Sequence, residues 1–380
     1  MKFLHTADLH IGKKIFEKSL IEDQKHILRR IADIAAEEQV DAVLIAGDVY
    51  DRAVPPTEAV ALLDDFLTEL LASHIAVFLI SGNHDSPERV AFADRILEKQ
   101  GLYIAGTYSD EVKTITLQDA FGPVEFVCVP FVKPAVAGCA TTAEAVEKML
   151  SKTSSCGRRV LLTHYFVTGE QGESPELSDS ESDVNVGGLD SIPASLFADF
   201  SYTALGHIHK SQKIGRGNVY YSGAPLKYSF GEARGEKSVN IVELGGQGEV
   251  SVTKRVLKPI HEMRCIKGRI AELTGKEALE ALAEEGVSKE DYLQVTLTDT
   301  EELLEPMATL RSVYPNVLLV LLQKNLEQEN REYESRMRGV KKSTAELFAD
   351  FYEMLKGEPL DEKRRGLVEE AARKAQEGER

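Results

Sequence analysis

Asp8 and His10, Asp48, Asn83, His164, and His207 with His209 each offer a divalent cation an oxygen or an imidazole nitrogen. They stand in five short clusters, and each cluster follows an apolar run of the kind that forms a β-strand. A strand end followed by a loop is where a layered α/β fold gathers its ligands. Taken singly the clusters say little. A D-x-H or H-x-H pair is common, and Gly-Asp or Gly-Asn-His-Asp serves turns as readily as metals. All five together, in order, argue for two cations held side by side. Such a pair, roughly 3.5–4 Å apart, activates a water and absorbs charge on phosphoryl oxygens, so the chemistry predicted is phosphoester hydrolysis.

Within this set Asp48, in Gly47-Asp48 at a strand end, is the expected bridging carboxylate. Asp8 and His10 leave the first strand on one side if the chain stays extended, and His207 and His209 repeat the spacing, so each could serve a different ion. Asn83 offers a neutral carbonyl oxygen and His164 an imidazole. Oxygen and nitrogen donors without thiolate suit Mn²⁺ or Fe²⁺ better than Zn²⁺ or Mg²⁺. His84, beside Asn83, is not needed as a ligand; protonated, it would hold a phosphate oxygen or give a proton to the leaving alkoxide. Asp85 either orients His84 or caps the turn before Ser86-Pro87. His5, His26, His74 and His261 read as structural or solvated.

The elements that must position these residues follow from periodicity. Strands are expected at 2–6, 41–46, 75–80, 124–129, 159–163 and 201–205. Between them lie helical spacings such as Ile27, Ile31, Ile34 and Ala35, or Val60, Leu63, Phe66, Leu67 and Leu70. This alternation predicts a layered α/β fold over residues 1–257. Residues 258–325 read strand–helix–strand–helix–strand, a small α/β domain of their own. Residues 326–342 are charged and read as a linker. Beyond them, over 343–380, Leu347, Phe348, Phe351, Tyr352 and Leu355 mark one amphipathic helix, and Leu367, Val368, Ala371 and Ala375 a second. Two such short helices cannot bury their apolar faces alone; they dock back on the body or grip a partner.

Composition narrows the classes further. At 380 residues the chain exceeds one comfortable core, and two or three domains are expected. There is no 18-residue apolar stretch and no secretory leader pattern, so no membrane association is expected. Four cysteines without CxxC spacing read as reduced thiols of a cytoplasmic protein. A net charge of −17 argues against a generic polyanion binder but leaves local basic fields open. One such field lies between His209 and Lys237, with six basic residues (Lys210, Lys213, Arg216, Lys227, Arg234, Lys237) against Glu232 and Glu236. Lys210 and Lys227, with Arg52 and Arg89 after the second and third clusters, are therefore candidate DNA contacts.

The ordered set Asp8-Leu9-His10, Gly47-Asp48-Val49-Tyr50-Asp51, Gly82-Asn83-His84-Asp85, His164 and Gly206-His207-Ile208-His209 resembles the calcineurin-like metallophosphoesterase superfamily. Finer matches are to its DNA-repair nucleases: His5 through Gly12, Asp48 through Arg52 followed by Pro55-Pro56, and Tyr221 through Phe230. That resemblance implies a four-layered α/β/β/α sandwich, then a capping domain that shapes DNA access and a helical tail. It puts one ion on Asp8, His10, Asp48 and His209 and the other on Asp48, Asn83, His164 and His207, with His84 as phosphate contact or proton donor. It further implies two Mn²⁺ ions, and 3′→5′ exonuclease action on duplex ends with endonuclease action on single strands and hairpins. The tail would bind an SMC-like ATPase, in a homodimer within a heterotetramer. Asp51 departs from the pattern: archaeal and eukaryotic relatives usually carry histidine there. Asp51 is a candidate catalytic residue on position alone, and a proton relay borrowed from those relatives does not transfer to it. The alternatives are a phosphoesterase acting on small phosphodiesters or phosphoproteins, and a non-catalytic protein that tethers DNA.

Overall fold

Runs such as Ala42-Val-Leu-Ile-Ala46 and Arg158-Arg-Val-Leu-Leu-Thr-His164 are buried at every residue, the signature of strands covered on both faces. The computed structural model describes residues 1–109, 111–153, 157–169, 172–178, 191–284 and 286–323, together with 348, 349, 352, 361 and 364–368. The first strands are β1 (Lys2–Thr6), β2 (Ala42–Ala46), β3 (Ala76–Ile80) and β4 (Leu102–Ala105). Next come β5 (Lys113–Asp119), β6 (Gly122–Val129), β7 (Arg158–His164) and β8 (Tyr202–Gly206). They are followed by β9 (Gln212–Ile214), β10 (Val219–Tyr221), β11 (Lys237–Leu244) and β12 (Val250–Leu257).

These twelve strands form two six-stranded sheets. One has the order β12-β11-β1-β2-β3-β4, the other β9-β10-β8-β7-β6-β5. β1 through β4 pair in parallel, as do β6, β7, β8 and β10. The edges are closed antiparallel by β11, β12, β5 and β9. Inner faces of the sheets meet in one core that includes Phe3, Leu44, Phe78, Phe126, Leu162 and Tyr202. Outside the first sheet lie the helices α1 (Ile21–Glu37) and α2 (Thr57–Ala72), and outside the second lies α3 (Thr142–Leu150). The result is the four-layered α/β/β/α sandwich expected. α3 starts from a capping box in which the Thr141 hydroxyl accepts from Glu144 N and the Glu144 carboxylate accepts in return.

A three-stranded sheet follows, β13 (Met263–Gly268), β14 (Tyr292–Leu297) and β15 (Val317–Leu322), in that spatial order. Helices at Ile270–Thr274, Lys276–Glu284 and Pro306–Arg311 connect its strands. By contacts the chain forms two compact units, one of residues 1–296 with 303–320 and one of 297–302 with 321–380. The expected linker at 326–342 lies outside the described residues. So does most of the tail, in which residues 364–368 are helical. Among the described residues no helix is long and apolar enough to cross a membrane.

Candidate metal centre

All five clusters fall at the carboxyl ends of parallel strands: β1, β2 and β3 of one sheet, β7 and β8 of the other. The chain leaving β1 does not separate from the chain leaving β2. Asp8 N donates to Gly47 O at 3.0 Å, His10 N to Asp48 O at 2.9 Å and Ile11 N to Val49 O at 2.9 Å. Asp8, His10, Asp48 and His207 have φ of +53°, +43°, +48° and +97°, where side chains other than glycine are uncommon. Backbone of this kind costs on the order of 1–3 kcal/mol per residue and clusters at functional sites. It takes the chain out of regular strand geometry at the residues that carry the donors.

Glycines before the ligands let the two sheets close on each other. A Cβ on Gly206 would stand 1.9 Å from Ala46 O, and one on Gly82 2.1 Å from Asp48 Oδ1. Neither contact is possible, so only glycine allows the end of β8 to lie against β2 and the Asn83 loop against Asp48.

Asp48 is at the centre. Its Oδ1 accepts from His84 N at 2.9 Å, and its Oδ2 faces His164 Nε2 at 3.4 Å, His10 Nε2 at 3.7 Å and His84 Nε2 at 4.0 Å. On one side His10 Nε2 and His209 Nε2 are 3.1 Å apart, with Asp8 completing a group of possible ligands. On the other side Asn83 Oδ1 lies 3.0 Å from both His164 Nε2 and His207 Nδ1. Two ligands at 90° on an ion with bonds of 2.0–2.2 Å stand about 3 Å apart, so both sets have a spacing that suits a cation. Asp8 supplies a further test. Its Oδ1 accepts from His207 N at 2.8 Å, but its Oδ2 is buried with no hydrogen-bond partner. A buried carboxylate oxygen left unpaired is costly, and a cation removes that cost. The donor set, all oxygen and nitrogen, fits two divalent ions; groups of His and Asp suited to metal form around Asp8, Asp48 and His10.

Charge in the site before a cation binds is finely divided. Burial pushes the Asp8 carboxyl up to about 6, and the neighbouring Asp48 charge adds to it. Burial also acts against Asp48, but the imidazoles of His164 and His10 outweigh it and hold Asp48 well below the usual carboxylate range. Burial alone would lower His164; the Asp48 carboxylate overrides it and raises His164 to about 9. Burial drives His207 down to about 3 and His10 well below its ordinary value. His10 and His207 thus present neutral imidazoles, the form a metal needs. His164 keeps one proton in place whatever happens at Nε2, since Nδ1 lies 2.8 Å from Ala46 O, an acceptor only.

His84 is half out in solvent, its side chain 39% exposed. Its Nδ1–H donates to Asp51 O at 3.1 Å, which leaves Nε2 toward Asp48 and the open side of the site. Asp85 does not touch the His84 ring: its carboxylate accepts from Val49 N, Tyr50 N and Gly82 N at 2.8–3.0 Å and binds two loops together. The Asp51 carboxylate lies 2.8 Å from Lys13 Nζ and 3.9 Å from His10 Nδ1. Among the candidate DNA contacts, Arg52 is 77% exposed and Arg89 is exposed on a short helix. Lys210 is exposed and paired with Glu176. Lys227 stands apart, 10% exposed, its ammonium held by Ala233 O at 2.8 Å and Glu262 at 2.7 Å.

Sequence reasoning missed the outer supports. Glu232, counted only as a charge in a basic stretch, is buried with Oε1 3.7 Å from His209 Nδ1 and Oε2 2.5 Å from Lys237 Nζ. Lys237 also donates to His209 O at 2.9 Å. Gln24 on α1 donates to His10 O at 2.7 Å and accepts from Gly12 N at 2.9 Å. Tyr228 donates to Leu9 O at 2.5 Å and lays its ring against those of His10 and His209. The only sequence signal for Glu232 is an acid amid basic residues next to the distinctive stretch ending at Phe230.

Residues 1–211 match the family described as calcineurin-like phosphoesterase, more than half of the 380-residue chain. The chain belongs to the calcineurin-like phosphoesterase family and is a metal-dependent phosphoesterase. Residues 259–355 match a second family, described as type 5 capsule protein repressor C-terminal domain. The particular resemblance is to SbcD proteins, named for their place in the nuclease SbcCD. That of Staphylococcus saprophyticus is 31% identical over 95% of this chain and 94% of its own length. That of Staphylococcus epidermidis is 29% identical over 95% of both. Among solved structures, TT1561 of Thermus thermophilus covers 67% of this chain and 98% of its own at 12% identity, with a TM-score of 0.38.

Proposed function

We propose that this chain is the nuclease subunit of a cytoplasmic SbcC–SbcD-type complex that processes DNA ends in repair, recombination and replication. The observation that carries the reading is the convergence of six other oxygen and nitrogen donors from both sheets around Asp48, in a chain similar along 95% of its length to proteins named as part of a nuclease. In this reading one ion is held by Asp8, His10, Asp48 and His209, the other by Asp48, Asn83, His164 and His207, and both are Mn²⁺. When bound, the ions supply an activated water and absorb phosphoryl charge. Asp48 divides its carboxylate between the two halves. His84, fixed through Nδ1 to Asp51 O with Nε2 turned to the open side, contacts the scissile phosphate or protonates the leaving alkoxide. Asp51 acts through position, its main chain holding His84 and its side chain balancing Lys13. Arg52, Arg89 and Lys210 are the phosphate contacts, with exposed Lys213, Arg216 and Arg234 on the same basic segment. Lys227 is committed to packing, and no phosphate contact is proposed for it.

The activities proposed are 3′→5′ exonuclease action on duplex ends and endonuclease action on single strands and hairpins. The partner is an SbcC-type SMC-like ATPase bound through residues 343–380, in an assembly with two copies of this chain. The 1–257 region is the nuclease domain, 258–325 the DNA-access cap and 326–342 a linker.

Metal analysis coupled to cleavage of end-labelled duplex and hairpin DNA, with and without the ATPase, tests the reading. The expected result is two manganese ions per chain and shortening of labelled duplex by the complex. Hydrolysis of a simple phosphodiester with no cut in any DNA, whatever ion is supplied, would leave a phosphoesterase of small substrates. Deletion of 343–380 is expected to abolish co-purification with the ATPase while manganese-dependent cutting of single strands persists.

A further inference from the structure

Beside the metal centre, on the side of Asn83 and His207, the surface falls into a recess of about 630 Å³. Its lining is partly aromatic, with Phe131, Tyr165 and Phe166, and includes the exposed Lys133. Nothing in the metal chemistry asks for these rings. The nearest contact is Phe131, whose ring stands 6.4 Å from that of His164 at 90°.

The rings are held as a fixed surface. Tyr165 is buried, and its hydroxyl accepts from Val132 N at 2.8 Å and donates to Pro130 O at 3.1 Å. The loop carrying Phe131 is therefore pinned on both sides of that residue. Phe131 N adds a bond to Ser81 O at 3.0 Å, two residues before Asn83. Phe131 packs against Tyr165 with ring centroids 5.4 Å apart. Phe131 and Phe166 are partly exposed, and both line the recess. An apolar recess of this size, with a few convergent polar groups at one end, is the usual form of a small-molecule site. Here the polar end consists of two of the residues assigned to hold a metal.

We propose that the recess receives a nucleobase: that of the nucleotide joined to the phosphate under attack, stacked on Phe131 and Phe166, with Lys133 meeting the next phosphate along the strand. The proposal rests on the nuclease reading and deepens it. A phosphate at the centre would lie beside Asn83 and His207, and the recess is lined by those same two residues. Aromatic faces accept any base, which suits an enzyme that must advance along arbitrary sequence. A phosphoserine side chain or a small alkyl diester has no flat π-system to fill such a site. The recess therefore separates nucleotide substrates from the other substrates of a dinuclear phosphoesterase.

The test uses the full chain with manganese and two chromogenic diesters that share a nitrophenolate leaving group. One is the p-nitrophenyl ester of thymidine 5′-monophosphate; the other is methyl p-nitrophenyl phosphate, which has no base. The wild type is expected to prefer the thymidine ester. Base–aromatic stacking is worth about 1–3 kcal/mol per base, so Phe131→Leu or Phe166→Leu should cut the ratio of the two kcat/KM values by about tenfold, through KM. Ala135→Trp, which fills the recess from its exposed rim and removes no interior packing, should cut the ratio likewise. A ratio unchanged in all three variants, or both esters falling together, overturns the base site. If the wild type still shortens DNA in that case, only the recess is misassigned. If the wild type cleaves the methyl ester but no DNA, the nuclease reading falls and this proposal with it.

Discussion

The two halves of the metal centre use similar ligands in different surroundings. Asp8, His10 and His209 are 0%, 1% and 7% exposed, and a second layer of Glu232, Lys237, Gln24 and Tyr228 stands behind them. Across Asp48, His164 is fully buried, while Asn83 and His207 are partly exposed and line the aromatic recess. In the proposed reading the buried half would hold its ion in fixed geometry, and the more accessible half would be the one that meets substrate.

The harshest way to break this contrast is to remove what the halves share. Asp48→Asn should drop bound metal from two ions to fewer than one per chain and lower phosphodiesterase activity by about a thousandfold or more, about 4 kcal/mol of transition-state stabilisation. Elemental analysis and initial rates check both. His84→Gln tests the open side alone: activity should fall about 10²- to 10⁴-fold with metal content unchanged. Undiminished cleavage by that variant would remove His84 from the chemistry.

Smaller changes sharpen the difference between the halves. Glu232→Ala should weaken one ion by about 10- to 100-fold in calorimetric titration and leave the other within a few-fold. Asn83→Ala should do the reverse, and equal effects of both variants on both ions would erase the distinction. Protons give a finer reading. His164, raised to about 9, is largely protonated at pH 7.5, with both ring nitrogens facing oxygen acceptors. Loading at that pH should release about one proton per chain, seen by titration in buffers of different ionisation enthalpy. Asp8, raised to about 6, is protonated below that pH, so metal affinity should fall as pH drops through 6. The same logic sets stability before loading. A histidine raised from 6.5 to about 9 contributes stability fully below pH 6.5 and loses it as pH rises through 9.

The donors that converge on Asp48 were legible because each follows an apolar run that forms a buried strand. The strand read at 41–46 is β2 at Ala42–Ala46, and that read at 159–163 is β7 at Arg158–His164. The reasoning went further astray where charge was counted without partners. The segment from Lys210 to Lys237 reads as a positive surface, yet Lys210, Lys227 and Lys237 are each paired with a glutamate. Glu232 neutralises from inside the fold, and composition cannot tell a buried pair from an exposed charge. The extended approach of Asp8 and His10 was also too simple. Both sit at positive φ, so the chain leaving β1 is turned rather than extended. The aromatic recess left no trace, because Phe131 and the Tyr165-Phe166 pair lie in loops 34 residues apart that only the fold brings together.

The contact of Gly206 with Ala46 has a mechanical consequence. His10 and Asp48 come from one sheet, His209 and His164 from the other, so a bound ion rivets the two halves of the sandwich at the end where their strands deliver ligands. At a hundredfold excess over its dissociation constant each ion adds about 2.7 kcal/mol to that joint. A chelator should therefore loosen that joint as well as lower activity, and melting temperature should track the concentration of the added divalent cation.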